Sequence, residues 1–479
     1  MAKDHTNYAH PLTGRYAAKD MRELFSEQRR ISTWRRLWLA LAESERELGL
    51  SQVSEKAVAE LKAHLDDIDF DKAAKHEAEL RHDVMAHVHT LGELCPSAAP
   101  IIHLGATSCF VTDNADLILM RDGLRLLLAK LRGAIAALAD FAKREAGTAC
   151  LGYTHFQVAQ PTTVGKRACL WLHDLLLDHE ELARIERTMP LRGVKGTTGT
   201  QASFMELFDN DEAKVRELDI RVAKRMGFAS VFPVTGQTYT RKYDHMVLSA
   251  VAGIGVSAQK IATDIRLLMG HGELDEPIES KQIGSSAMAY KRNPMRSERI
   301  CSIARYLINL PQNAAFTASE QWLERTLDDS ANRRMTIPET FLAADVILSL
   351  LQNVATGLKA NHAVIAARLK RELPLMATEA IIMAAVRAGG DRQRVHEAIR
   401  VHSRAAVARM KEEGAGDNDL LSRLKSDVEF KAIAGQLDGL LDPKRFTGRA
   451  ESQSREFLEG VVATVLRAGA QSAGERVVV

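Results

Sequence analysis

Long proline-free stretches are the strongest constraint on how this chain can fold. Its 479 residues include only 12 prolines, and none lies between positions 11 and 96, 100 and 161, or 374 and 443. Proline interrupts a helix because it lacks a backbone N–H and its ring clashes with the preceding turn. These stretches therefore permit helices of many turns.

Apolar residues recur at helical spacing along the chain. The pattern over residues 21–48 predicts a helix, and Gly49 stands where a C-terminal cap belongs. A longer pattern predicts a helix about 50 Å long, capped by Thr112 or Asp113 and stopped by Gly147. Further helical patterns cover residues 164–188, 245–269, 299–309 and 339–358.

The pattern over residues 246–265 is apolar or small on nearly every side, which is more than one antiparallel neighbour can cover. We expect this helix to pack on several faces, including faces shared with other subunits. Strand signals are few, and the best covers residues 230–234. The sequence predicts an all-α chain with an N-terminal helical domain (1–111), a central bundle of very long helices (112–360) and a C-terminal helical domain (361–479).

Charge and cysteine content narrow the function classes. The 64 Lys and Arg nearly balance the 62 Asp and Glu, for a net charge of +2. Proteins that bind nucleic acid or a membrane surface usually carry a strongly basic face, so we expect this chain to be neither. Five cysteines without a C-x-x-C pair favour buried thiols in a reducing compartment, so the cytoplasm is expected. No apolar leader or membrane-length apolar run is visible, so we expect neither export nor a membrane partner.

The segment GSSAMAYKRNPMRSER, residues 284–299, concentrates hydroxyls and positive charge. It contains the paired serines Ser285 and Ser286 and leads into a helix start after Asn293. A serine removes a proton from carbon only when its alkoxide is stabilised, and Lys291 can supply the charge. A loop before a helix N-terminus also suits an anion. A solvated basic loop explains the same composition.

The segment THFQVAQPTTVGKR, residues 154–167, sets one histidine among polar side chains. His155 precedes a helix that Pro161 can start. An imidazole is the natural proton donor to a leaving nitrogen near neutral pH. His155 is therefore a candidate general acid, although a structural role also fits its position.

The segment RHDVMAHVH, residues 81–89, clusters imidazoles with a carboxylate. His82, Asp83, His87 and His89 are metal-ligand types, but residues 82, 87 and 89 do not share one helical face. Substrate contacts or helix packing fit them better, and we expect no metal site.

Two more polar segments carry side chains beyond what local structure needs. HLGATSCFVTDN, residues 103–114, supplies the adjacent hydroxyls of Thr107 and Ser108 before the long helix. RTLDDSANRR, residues 325–334, gathers arginines beside a serine and two aspartates. Phosphate binding and internal ion pairs each explain this second cluster.

Together these segments resemble the adenylosuccinate lyases of the fumarase and aspartase superfamily. Residues 284–294 follow the superfamily loop GSSxMPxKxNP, with Ala289 in place of the usual proline. HLGATS, THFQ, KGTTGTQASF and RTLDDSANRR resemble this family in particular, and the similarity spans about residues 15–449. The resemblance implies an almost all-helical, three-domain homotetramer of the fumarase/aspartase-like fold, with each active site built from three subunits.

The resemblance also implies an activity. The family eliminates fumarate from adenylosuccinate, giving AMP, and from succinylaminoimidazole carboxamide ribotide, giving the free carboxamide, AICAR. Both reactions belong to purine nucleotide synthesis. The implied partners are these small-molecule succinyl-nucleotides and further copies of the chain, and no cofactor is implied.

The resemblance assigns roles to the matching positions. Ser285 would be the general base, chosen over Ser286 on the resemblance alone, and His155 would be the general acid, oriented by Glu298. The succinyl carboxylates would be held by Lys291, Asn293, Thr107, Ser108, Thr154 and Gln237. Nucleotide contacts would come from Arg15, Tyr16, Arg81, His82 and Asp83. Phosphate and substrate anchors would be Arg299, Arg325, Ser330 and Arg334.

Two alternatives remain open on the sequence. Another fumarate-releasing lyase of the superfamily, of the argininosuccinate lyase or fumarase type, acts on a substrate without the phosphate that residues 325–334 suit. A non-catalytic helical scaffold would keep the fold, but it has no need of a base and acid pair.

Overall fold

The structure is a computed structural model that describes residues 6–279, 281–414 and 416–469. α-Helices dominate the described chain, as the apolar spacing predicts. One large hydrophobic core joins the N-terminal and central helices, and a smaller core lies within the C-terminal region. All five cysteines are free and buried.

The N-terminal region begins with a π-helical turn, Leu12–Tyr16. Its α-helices are α1 Lys19–Leu24, α2 Glu27–Glu47, α3 Glu55–Ala63, α4 Phe70–Leu80 and α5 Asp83–Leu94. The predicted helix over 21–48 is split between α1 and α2, because the hydroxyl of Ser26 accepts from the N–H of Arg29 and caps α2. Gly49 follows α2 with φ +98°, the left-handed conformation expected at a C-terminal cap.

Long helices form the central region, where α6 packs along α7 and α13, and α10 along α11. The 37 residues of α6 span about 55 Å. By length and composition α10 and α13 could each cross a membrane, yet 56% and 72% of their most apolar windows are buried inside the chain. The helices are α6 Ser108–Arg144, α7 Val164–Thr188, α8 Ala202–Leu207, α9 Glu212–Arg225, α10 Lys242–Gly270, α11 Met295–Asn309, α12 Pro311–Ser319 and α13 Asp329–Gly357.

Helix α6 begins earlier than its polar residues suggest. Its N-cap is Thr107, so the prediction that Thr112 or Asp113 caps it is wrong. Asp113 lies inside the helix, where it accepts hydrogen bonds from the guanidinium of Arg241 and the N–H of Tyr239. Because this carboxylate satisfies groups on other segments, it does not cap its own helix.

Helix α13 also begins earlier than predicted, ahead of Pro338 rather than after it. Proline removes one helical hydrogen bond. Two ion pairs to the start of α10 hold the first turns nonetheless: Asp329 with Arg241 and Arg333 with Asp244, each at 2.7 Å.

An antiparallel hairpin of β1 Ala149–Thr154 and β2 Gln157–Thr163 connects α6 to α7. The prediction that Pro161 starts a helix is wrong, because Pro161 lies in β2. Helix α7 starts at Val164, where the hydroxyl of Thr163 accepts from the third backbone N–H beyond it.

The predicted strand over residues 230–234 is also wrong. Within that range Val231 makes an isolated bridge to Leu191, and without a paired neighbour the segment cannot extend into a sheet. The remaining strands form one small antiparallel pair, β3 Leu274–Asp275 with β4 Lys359–Ala360.

The C-terminal region contains its own hydrophobic core and then returns to the central helices, since α18 packs on α7 and α19 on α6. Its helices are α14 His362–Met376, α15 Thr378–Arg387, α16 Arg392–Glu412, α17 Leu420–Ser426, α18 Ala450–Phe457 and α19 Ala463–Arg467. Short 3₁₀ turns cover Val428–Ile433, Asp438–Leu441 and Pro443–Arg445, and a π turn covers Leu458–Val462.

Candidate active site

A cavity of about 630 Å³ opens between the N-terminal helices and the starts of α6 and α13. It is a mixed polar and apolar pocket of the size that small-molecule ligands occupy. Eight of the sequence-predicted substrate-binding residues line it: Arg81, His82, Asp83, Ser108, Gln237, Arg325, Ser330 and Arg334.

The end of α4 and the start of α5 place two of these side chains. Arg81 terminates α4 in the left-handed conformation with φ +54°, and His82 is the N-cap of α5, its Nδ1 accepting from the N–H of Met85 at 3.3 Å. The other ring nitrogen of His82 lies 3.3 Å from the hydroxyl of Ser108. Backbone capping thus fixes the imidazole beside the start of α6, where Thr107 is half-buried next to Ser108.

The neighbouring histidines serve packing. His87 is buried edge-on against the rings of Trp34 and Phe70, and burial, aided by nearby arginines, lowers its pKa to about 4. His89 packs on the ring of His76. Within the described part of the chain no group of His, Cys, Asp and Glu side chains is arranged to hold a metal ion.

One ion pair bridges the pocket wall. Arg334 donates to the Asp83 carboxylate at 2.5 Å. Burial opposes ionisation of Asp83, but the hydrogen bond and charge of Arg334 outweigh it, so the pKa of Asp83 lies below its ordinary value. A charged Asp83 fixes Arg334 on α13 against the start of α5.

A buried ionic network forms the floor of the pocket. Arg241 donates to both oxygens of Asp113 at 3.0 Å and to Asp329 at 2.7 Å, and Arg333 pairs with Asp116 at 2.9 Å and with Asp244. Neither Arg241 nor Arg333 was predicted as a site residue, although Arg333 belongs to the polar segment 325–334. The 325–334 cluster forms internal ion pairs, as one of its two explanations predicts, and several of its members also line the pocket, whereas phosphate binding stays a prediction.

A second group of predicted residues lies apart from the pocket lining. The guanidinium carbon of Arg299 lies 5.4 Å from the ring centre of Tyr16, and that of Arg15 lies 5.6 Å from it. These are cation–π distances. The π-helical turn Leu12–Tyr16 and the N-terminal part of α11 are thereby brought together.

The β1–β2 turn carries Thr154 and His155. His155 and Phe156 have φ of +51° and +57°, which fits a two-residue turn of type I′. Both are exposed. Tyr153 of β1 fixes the hairpin to other segments: its hydroxyl donates to Glu273 at 3.1 Å and accepts from Arg368 at 3.0 Å.

The loop before α11 folds on itself around Ser285. The hydroxyl oxygen of Ser285 accepts from the N–H of Met288 at 3.1 Å, and the side chain of Asn293 donates to the carbonyl of Gly284 at 2.8 Å. A Cβ at Gly284 would lie 2.3 Å from the Lys291 carbonyl, so this close approach requires glycine. Ser285 is half-buried, and Lys291 is exposed.

The helix start after this loop is not open to an anion from solution, contrary to the sequence-based expectation. The carboxylate of Glu276 accepts from the N–H groups of Arg296 and Ser297 and from the hydroxyl of Ser297, at 2.8–3.1 Å. Glu276 thus occupies the N-terminus of α11. Glu298, in the first turn of α11, is exposed.

The predicted site residues therefore fall into separate groups within one chain. The pocket gathers several arginines and polar side chains together with carboxylates that pair with some of those arginines. None of the four predicted catalytic residues lines it: Ser285, His155, Lys291 and Glu298.

Comparisons with known proteins agree on one family. A family model described as "Lyase" matches residues 14–308, and one described as "Adenylosuccinate lyase C-terminus" matches residues 374–457. The adenylosuccinate lyase of Saccharomyces cerevisiae is 54% identical over 466 residues, covering 97% of this chain and 96% of the relative. That of Schistosoma mansoni is 50% identical over 453 residues, covering 94% of each chain.

Solved structures share the fold. A 3-carboxy-cis,cis-muconate lactonizing enzyme from Pseudomonas putida matches with a TM-score of 0.82 and 24% identity, covering 95% of this chain and 99% of that chain. A fumarate lyase from a Mesorhizobium species matches with a TM-score of 0.79 and 24% identity, covering 95% and 100%. The near-complete match to adenylosuccinate lyases at half identity or more, together with this fold, shows that the chain belongs to the adenylosuccinate lyase family.

Proposed function

We propose that this chain eliminates fumarate from adenylosuccinate, leaving AMP, and from succinylaminoimidazole carboxamide ribotide, leaving AICAR. Family membership supports the reaction class. The observation that carries the substrate class is the pocket lined by Arg81, Arg325 and Arg334, because several guanidinium groups around one cavity suit a nucleotide phosphate.

In this mechanism Ser285 removes a proton from the succinyl carbon next to the carbon that bears the nitrogen. The electron pair is delocalised into the adjacent carboxylate, then forms the double bond of fumarate as the C–N bond breaks. His155, oriented by Glu298, donates a proton to the departing nitrogen. Lys291 stabilises the Ser285 alkoxide and the developing dianion.

The remaining predicted residues bind the two ends of the substrate. Thr107, Ser108, Thr154, Gln237 and Asn293, with Lys291, hold the succinyl carboxylates. Arg15, Tyr16, Arg81, His82 and Asp83 contact the nucleotide. Arg299, Arg325, Ser330 and Arg334 anchor the phosphate and substrate.

The working enzyme is a cytoplasmic homotetramer whose sites each draw on three subunits, and its domains divide at residues 111 and 360. Separation of the pocket from Ser285 and His155 within one chain supports this assembly. Further support comes from large apolar side chains exposed on α7, α10 and α11, which a partner subunit would cover. They are Leu170, Leu177, Met246, Val256, Leu267, Tyr306 and Ile308.

An absorbance assay of the purified protein with adenylosuccinate tests this proposal. Loss of the succinylated purine together with release of fumarate, without added cofactor, is the expected result. Argininosuccinate and malate serve as control substrates, because they distinguish the other superfamily activities. No turnover of adenylosuccinate would overturn the proposal, and turnover of a control substrate instead would identify the competing lyase.

A further inference from the structure

Three arginines reach the floor of the pocket, and their hydrogen bonds divide them into two kinds. Arg241 uses all three guanidinium nitrogens on Asp113 and Asp329. Arg333 likewise uses all three, on Asp244, Tyr239 and Asp116. Their side chains are only 1% and 8% exposed, so both guanidinium groups are held through all three nitrogens and neither can turn toward a ligand.

Arg325 is different. Its Nη1 donates to both oxygens of Asp329 at 2.8 Å, whereas its Nε and Nη2 donate to no residue in the described part of the chain. The side chain is 22% exposed and lines the cavity. A guanidinium held by one nitrogen presents its other two donors in a fixed plane, which is the geometry of bidentate phosphate binding.

Asp329 is the residue that fixes Arg325. It is fully buried, and it accepts from Arg325 on one side and from Arg241 on the other. Arg241 is held in turn by Asp113 on α6. The chain of contacts therefore runs from the core of the helix bundle to Arg325, whose Nε and Nη2 have no partner in the described part of the chain.

We propose that Asp329 is a positioning residue for anion binding: it holds Arg325 so that Nε and Nη2 meet the substrate phosphate, and Arg241 and Asp113 hold Asp329 in place. The inference rests on the proposed function in taking a nucleotide phosphate as the anion. It goes beyond that function by assigning to a fully buried carboxylate a role that it exerts through Arg325.

A purely structural ion pair is the competing explanation, and helix α13 supplies a matched control for it. Asp345 lies on the same helix, is also fully buried, and accepts from Lys130 at 2.5 Å. Asp345 does not line the cavity. Loss of either carboxylate removes a buried ion pair, but only loss of Asp329 is expected to free Arg325.

The test is calorimetric binding of AMP and adenosine, two ligands that differ only in the phosphate, to the full-length protein. We expect the wild type to bind AMP more tightly than adenosine. Asp329→Asn should lower that preference at least about tenfold, because a charge-assisted bidentate contact is lost. Asp345→Asn should leave the preference within about twofold, because distant sites act independently.

An unchanged preference in folded Asp329→Asn would overturn the inference, as would a wild type that binds both ligands equally. Should Asp329→Asn not fold, Asp329→Glu answers the same question: it keeps the buried charge that pairs with Arg241 but moves the carboxylate by one methylene and so displaces Arg325, so the preference should fall, and an unchanged preference would contradict the role. Binding needs no turnover. If the wild type releases fumarate but Asp329→Asn keeps the wild-type preference for AMP, only the inference is rejected. If the wild type releases no fumarate, the proposed function is rejected.

Discussion

At the residue scale, the proposed base and acid both lie in turns of the backbone, Ser285 half-buried and His155 exposed. Ser285 sits in a loop closed on itself, with its hydroxyl oxygen accepting backbone N–H bonds. Backbone donors of this kind stabilise negative charge on the oxygen. His155 sits at a hairpin turn with φ +51°, and its side chain is exposed.

Replacement of the base tests the first of these roles. Ser285→Ala should lose about three or more orders of magnitude in kcat with little change in substrate binding, because only the proton-abstracting group is removed. Steady-state kinetics with adenylosuccinate and direct binding measure the two effects. Ser286→Ala is the matched control and should stay near wild type; the opposite ranking would assign the base to Ser286.

A second residue-scale prediction concerns acid stability. Burial, with a smaller contribution from His82, lowers the pKa of His103 to about 4, and its Nδ1 accepts from the indole N–H of Trp38 at 3.0 Å. Between about pH 6.5 and 4 the unfolded chain binds a proton at His103 that the folded chain does not. Stability is therefore full above pH 6.5 and should fall by up to about 3 kcal/mol on acidification through this window.

Denaturant titrations at pH 7 and pH 4.5 measure this effect. His103→Asn retains an acceptor and tolerates the native φ of +68°, but it does not titrate. Between pH 7 and pH 4.5 the free energy of unfolding should fall clearly less in His103→Asn than in the wild type. The lowered pKa of His87 adds the same loss to both proteins. Equal losses in the two proteins would show that His103 is not responsible.

At the element scale, apolar periodicity predicts the existence of the long helices, and side-chain partners from elsewhere in the chain decide where they start. The predicted and observed bounds of α7 coincide at 164–188, because a capping hydroxyl and the apolar stripe agree there. They disagree for α6 because the carboxylate of Asp113, a residue type that often caps helices, forms an ion pair with Arg241 instead. A single sequence does not reveal a partner 128 residues away. The β1–β2 hairpin was not predicted, because a proline such as Pro161 is typical of a helix start, whereas here it pairs with Leu151 across the hairpin.

The start of α6 gives a prediction with opposite outcomes for two neighbours. Asp113→Ala should cost about 3–5 kcal/mol, because it leaves Arg241 buried without its main partner. Thr112→Ala should cost less than about 0.5 kcal/mol, since its hydroxyl only donates back to the Ser108 carbonyl within the helix. Urea unfolding of both variants measures the difference. A cost of about 1 kcal/mol at Thr112 with little effect at Asp113 would instead support a cap at that point.

At the scale of the whole molecule, the sequence offered one sign of subunit packing: the helical pattern over residues 246–265 is apolar or small on nearly every side. The structure locates the apolar surface on particular faces, where Leu177 of α7 is 54% and Val256 of α10 is 57% exposed. The separate placement of His155, Ser285 and the pocket depends on the path of the chain in three dimensions. Motif recognition could name these residues but could not sort them into groups.

In the proposed homotetramer, a charge on that apolar surface should break the assembly. Val256→Glu or Leu177→Glu should shift the protein from tetramer to smaller species and reduce turnover, because a carboxylate would be desolvated in the interface. Sedimentation velocity measures the shift. Val428→Glu is the control, because Val428 is 76% exposed in a C-terminal 3₁₀ turn. A tetramer unaffected by the α7 and α10 variants would place the interface elsewhere.

Mixing two inactive variants tests most directly whether one active site is shared among subunits. Ser285→Ala and His155→Gln should each be nearly inactive alone. After dissociation and reassembly at equal concentrations, about one quarter of the sites should combine an intact serine with an intact histidine from different subunits, and turnover should recover to about that fraction of wild type. Differently tagged copies verify that mixed tetramers form. Mixed tetramers that remain as inactive as their parents would contradict the shared site and place both residues in one chain.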